Sequence, residues 1–169
     1  GQDGYSVKSP QGQASHYYSQ PFYRVTGTLT LPEGDVEVTG NGWLDREWSS
    51  QPLGSDQEGW DWFSLQFADG ARLMGFGLRG LETVFTSATW IDPDGTVTPY
   101  GDGELRMEAL EWAEVAGREV PVSWRVELPE RGVDIVTTPL NPGAWMDLSF
   151  AYWEGPISFS GSHEGRGYL

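Results

Sequence analysis

Gly42-Trp43-Leu44-Asp45-Arg46-Glu47-Trp48 and Gly59-Trp60-Asp61-Trp62 hold the densest concentration of groups able to do chemistry in this 169-residue chain. Along an extended strand Trp43, Asp45 and Glu47 point one way, and Trp60 shares a face with Trp62. A carboxylate set among indole rings loses hydration, which raises its pKa and keeps a proton available near neutral pH. Such an acid can protonate an alkene, an enol or a leaving group while aromatic faces stabilise the developing cation. The plainer alternative is that Asp45 or Glu47 ties strands together through Arg46 or Arg79.

A second cluster, Ala14-Ser15-His16-Tyr17-Tyr18-Ser19, places Tyr18 on the same strand face as His16. There His16 could shuttle a proton or orient a ligand, or serve as a hydrogen-bonded structural histidine. His163, in Gly161-Ser162-His163-Glu164-Gly165, reads as a loop residue. Other signals fail on context. There is no Gly-x-Ser-x-Gly elbow, Gly75-Phe76-Gly77 has no helix after it, and Asp92-Pro93-Asp94-Gly95 is a turn with too few ligands for calcium.

Composition narrows the options further. With 25 Asp plus Glu against 10 Lys plus Arg, the chain carries a formal charge of −15, which argues against nucleic-acid binding and a polybasic membrane mode. Lys8 is the single lysine, and this acid excess matches a protein kept soluble at high salt. Having no cysteine and two histidines removes disulfides, thiolate metal sites and a multi-histidine centre, so no metal or cofactor is expected. No apolar stretch approaches the roughly 20 residues of a membrane helix, so a soluble chain without a transmembrane segment is expected. The nine tryptophans, seven tyrosines and seven phenylalanines are either filler for a β core or the lining of an apolar pocket.

The elements that must position these groups alternate with a period of two almost throughout. Residues 23–31 put Val25, Leu29 and Leu31 on one face and Arg24, Thr26, Thr28 and Thr30 on the other, then turn at 31–35 and return through Val36 and Val38. Residues 60–67 and 72–79 form a second pair around Ala68-Asp69-Gly70, and 84–91 and 96–100 a third. Glycines 75 and 77 leave one face nearly bare, suiting a bend, a close neighbour or a ligand. Segments 105–112 (or else a short helix over 105–114), 120–128, 133–138, 146–154, 157–160 and 167–169 continue the meander. About ten short strands without βαβ spacing predict an all-β, antiparallel barrel or sandwich, and a small closed barrel can hold one apolar ligand.

These motifs, with Phe63-Ser64-Leu65-Gln66, Asp69-Gly70, Leu73-Met74 and Tyr152-Trp153-Glu154-Gly155, resemble the AttH / carotenoid 1,2-hydratase (CrtC-like) family, whose members are often labelled predicted secreted hydrolases. The resemblance implies a lipocalin-like β-barrel over residues 1–169, matching the C-terminal of two such domains, so that an N-terminal lipocalin-like partner domain is missing from the chain as given. It also implies an extracytoplasmic setting. Carried across, Asp45 would protonate a carbon–carbon double bond, with His16 and Tyr18 beside it and Trp43 in the aromatic lining. Glu47 and Trp48 after the acid depart from the carotenoid branch towards the AttH-like members. Related lipocalin-like proteins act as Diels-Alder cyclases.

Two function classes follow. The first is an enzyme domain acting on a hydrophobic polyene, terpenoid or acyl-like molecule, with Asp45, His16 and Glu47 as catalytic candidates. The second is a binding domain in which Tyr18, Trp43, Trp60, Trp62 and Trp153 contact a hydrophobic ligand and Asp45 ties strands. A structural half, inert without its partner domain, is the third possibility.

Overall fold

Alternation becomes strand along most of the chain because apolar side chains at every second position need a face to bury. The computed structural model describes residues 3–50, 57–81, 83–149 and 151–169. In order these are β1 (Tyr5–Val7), β2 (Ala14–Leu31), β3 (Gly34–Trp48), β4 (Gln57–Phe67), β5 (Arg72–Gly80), β6 (Val84–Ile91), β7 (Val97–Tyr100), β8 (Arg106–Val115), β9 (Arg118–Leu128), a 3-10 turn at Pro129–Arg131, β10 (Val133–Pro139), β11 (Trp145–Met146), β12 (Tyr152–Trp153), β13 (Pro156–Gly161) and β14 (Gly165–Tyr168). The protein is all-β and antiparallel, and among the described residues no helix is long and apolar enough to cross a membrane.

Nine strands make one sheet in the order β7-β6-β5-β4-β14-β13-β10-β9-β8. Its two ends come together around a common core. Trp90 and Tyr100, from one end, bury in the same cluster as Trp124, Val126 and Ile135 from the other. Arg131 fastens them: its guanidinium donates to Tyr100 Oη and Thr98 Oγ1, both at 2.7 Å, and lies over the Trp90 ring. The interior is filled by Phe63, Leu65, Phe67, Leu73, Ile157 and Phe159, so it is a packed core.

The bare face of β5 is explained by close neighbours. A Cβ at Gly75 would lie 2.8 Å from Leu105 Cδ2, and one at Gly77 would lie 3.3 Å from Met107 Cε. Of the segment 105–112, everything from Arg106 on is strand, within β8, with Met107 packed against the core. One sequence expectation is corrected. Instead of a single strand over 146–154, β11 and β12 pair with each other through Trp145 with Trp153 and Met146 with Tyr152. Trp153 donates its indole N–H to the Pro142 carbonyl at 2.8 Å, which holds the pair closed. Phe150, placed in that expected strand, lies outside the described residues.

Outside the large sheet, β1, β2 and β3 form a three-stranded sheet of their own. β2 and β3 run for 18 and 15 residues, far longer than the short strands expected. Their register slips between Gln20 and Tyr23, where Pro21 has no N–H to give the ladder.

Candidate functional site

Register decides which side chains of the β2–β3 sheet meet. Tyr17 pairs with Glu47 and Ser19 with Asp45, so Ser15, Tyr17 and Ser19 share a face with Trp43, Asp45 and Glu47. That face covers β4 and β5, where Tyr17 buries against Met74 and Phe76 with Trp43 and Trp62 alongside. Between the layers and around the end of β4 runs a broad cleft of about 1310 Å³.

Asp45 is held from two sides. Its Oδ1 accepts hydrogen bonds from Ser19 Oγ at 2.6 Å and Trp43 Nε1 at 2.8 Å. Tyr17 completes the arrangement, accepting from Trp62 Nε1 at 3.2 Å. Burial, then the charge of Asp45 and a hydrogen bond to it, hold the Tyr17 hydroxyl far above the usual phenol range. The phenol keeps its proton, with the Trp62 indole on one side of it and the Asp45 carboxylate on the other.

Glu47 accepts from Ser15 Oγ at 2.6 Å and pairs with Lys8 Nζ at 3.0 Å. The Lys8 ammonium also lies 4.3 Å from the centre of the Phe76 ring and 5.0 Å from that of Tyr17, so the chain's one lysine is a wall of the cleft.

The arginine tie considered for Asp45 or Glu47 is made instead by Asp61, on β4, to Arg79 at 3.3 Å. Gly59 makes room for it: a Cβ there would lie 2.9 Å from Arg79 Nη2. Burial pushes the Asp61 carboxyl from the usual 3.8 up to about 6, and the Arg79 charge only partly opposes this. The folded state thus binds this proton more tightly than the unfolded chain. The contribution of Asp61 to stability is greatest below about pH 4 and is lost as the pH rises through about 6, a difference of up to about 3 kcal/mol. Asp61→Asn removes the ionisation, so the wild-type-minus-variant difference in unfolding free energy should fall between pH 4.5 and 7.5 by about 2 kcal/mol, the rest having been lost already below pH 4.5. Urea melts at the two pH values measure it, and a difference independent of pH would contradict the assignment.

Of the residues expected from sequence, Trp43, Asp45, Glu47, Trp60, Trp62 and Trp153 line the cleft. His16 and Tyr18 do not. They point from the opposite face of β2, where His16 stacks on Trp48 at 5.4 Å and Tyr18 meets the same ring edge-on at 6.3 Å. The neighbours of Asp45 are Tyr17, Ser19 and Trp43. His163 packs edge-on against Phe67 in the turn before β14, as a loop residue.

Sequence reasoning passed over Tyr17 and Asp61. Extending the 23–38 hairpin inward, with a one-residue slip at Pro21, would have put Tyr17 opposite Glu47. For Asp61 the signal was a lone acid inside the run Trp60-Asp61-Trp62-Phe63.

The sequence matches the AttH-like family over residues 1–169. Among solved structures, a candidate AttH from Nitrosomonas europaea superposes with a TM-score of 0.89 at 34% identity, covering 99% of this chain and 55% of its own. Kievitone hydratase from Nectria haematococca superposes with a TM-score of 0.76 at 17% identity, covering 98% of this chain and 53% of its own. The first is a likeness of sequence and fold, the second of fold alone. The chain spans about half the length of each of these two proteins. No curated protein matches it.

Proposed function

Because the chain belongs to the AttH-like family across its whole length, we propose that its lipocalin-like fold carries out acid-assisted chemistry on a hydrophobic small molecule in the cleft beside Asp45. The substrate class is a polyene, a terpenoid or an unsaturated acyl compound. The reaction class is hydration, isomerisation or cyclisation. The observation that carries this reading is Asp45 itself, held by the Trp43 indole and beside Tyr17, lining with Trp60 and Trp62 a cleft large enough for such a ligand.

In the hydration form, Asp45, once it has taken up a proton, delivers it to one alkene carbon and the other becomes a carbocation. The faces of Trp43, Trp60 and Trp62 stabilise that cation. Water adds its oxygen to the cation and returns one proton to the Asp45 carboxylate, leaving an alcohol. Kievitone hydratase, whose fold the chain shares, is by its name a hydratase, and this supports hydration as the first form to test.

One observation favours a second reading, a binding domain without turnover. Ser19 and Trp43 both donate to Asp45, as they would to a carboxylate that only ties β2 to β3.

Retinol, farnesol and oleic acid, each incubated with the protein, separate the two. Enzymatic hydration yields a product heavier by one water, and isomerisation or cyclisation yields a product of unchanged mass and new retention. Quenching of tryptophan fluorescence by these compounds, with no product from any of them, would replace the enzyme reading with the binding one.

A further inference from the structure

Beyond the slip at Pro21 the β2–β3 hairpin leaves the cleft and continues as a free two-stranded ribbon. Its ladder pairs Tyr23 with Gly42, Val25 with Gly40, Gly27 with Val38, Leu29 with Val36 and Leu31 with Gly34. Residues paired across a ladder share a face, as does every second residue along a strand. Tyr23, Val25, Leu29, Leu31, Val36 and Val38 therefore form one face, and Thr28, Thr30, Asp35 and Glu37 belong to the other. Along β3 the first face runs on through Leu44 and the exposed Arg46 to Trp48, which carries His16 and Tyr18.

Nothing among the described residues covers this face. Val38 is part-buried and His16 is exposed; the other apolar and aromatic members named above are 42–52% exposed. An antiparallel pair with one apolar and one polar face normally packs its apolar side, and an isolated two-stranded ribbon is marginal in water. An apolar stripe of this length on a free surface marks an interaction site.

Two facts decide the occupant. The solved relatives contain the whole of this chain within 55% and 53% of their own length, so each holds nearly as much polypeptide again outside the match. Each copy of this chain carries a formal charge of −15, which sets two copies against each other. We propose that the apolar face of the β2–β3 ribbon, from Leu31 down to Tyr18 and Trp48, is the docking surface for a further domain of the same polypeptide. That domain meets it with an apolar patch bordered by neutral or basic residues. Docking there covers His16 and Tyr18, so the two candidate residues that miss the cleft come to lie in the junction.

The test is made on the polypeptide as its gene encodes it. A photo-crosslinking amino acid is placed at Leu29, Val36 or Tyr18 on the apolar face, and at Thr28 or Glu37 on the polar face. The expected result is crosslinks from the first three to peptides of the same polypeptide outside residues 1–169, and loss of those crosslinks at Thr28 and Glu37. Crosslinks into a second copy, crosslinks confined to residues 1–169, no crosslinks, or an encoded polypeptide with nothing beyond these residues would each overturn the proposal. A double variant, Leu29→Asp with Val36→Asp, supplies a second measurement. It should leave the melting temperature of the 169-residue chain unchanged and lower that of the encoded polypeptide. Equal effects on both would also overturn the proposal. None of these readouts depends on turnover, so failure here is separable from failure of the enzymatic reading.

Discussion

Asp45→Asn is expected to lower turnover by about 10²–10⁴-fold while leaving hydrophobic ligands bound nearly as well as before. Asparagine keeps the size of the side chain and an oxygen that can accept from Ser19 Oγ and Trp43 Nε1, so the join between β2 and β3 survives. What it cannot do is give a proton to a substrate carbon and take one back from water. Retinol is a suitable ligand, because quenching of the cleft tryptophans reports affinity and the loss of polyene absorbance reports conversion. Unaltered turnover in the variant would remove Asp45 from the chemistry. A variant that melts lower, from a wild type that converts no polyene, would identify Asp45 as a strand tie.

Gly167→Ala is expected to cost at least ~3 kcal/mol, a large part of the ~5–15 kcal/mol that holds a typical domain together. At Gly167 a Cβ would stand 2.2 Å from the Ser64 carbonyl oxygen, and at Gly165 it would meet the Gln66 carbonyl oxygen at the same distance. The obstruction is backbone, so it is relieved only by parting β14 from β4 along the ladder that pairs Gly167 with Leu65. Gly40→Ala is the matched control. It lies on the exposed ribbon with nothing within 4 Å of the added Cβ, and should change stability by less than about 0.5 kcal/mol. Urea melts of the two variants should differ accordingly, and equal stabilities would show that the β4–β14 seam has slack its geometry denies.

The strand pattern was legible because half-buried antiparallel strands print their two faces directly onto the sequence. Residues 23–31 and 36–38 show this most clearly: the alternation of valine and leucine with threonine and acid is the alternation of the folded ribbon. The surroundings of Asp45 were less legible. One extra residue at the Pro21 slip reverses the relation of β2 to β3, so the face that carries Val25 and Leu29 beyond the slip carries His16 and Tyr18, not Tyr17, before it. Asp61 and Arg79 stand 18 positions apart and meet only because β4 and β5 pair; neither residue announces this alone. Likewise the glycines at 75 and 77 made room for something, and only the packing shows that Leu105 and Met107 fill it.

Lys8 has one more consequence, for labelling chemistry. With a single lysine in the chain, an amine-directed reagent has one side-chain address, and that address opens onto the cleft against Glu47, Tyr17 and Phe76. Acylation there exchanges the cation for a neutral amide between a carboxylate and two rings. Within these 169 residues Lys8 is thus the one side-chain amine at which a reporter group can be attached, already facing whatever enters the cleft.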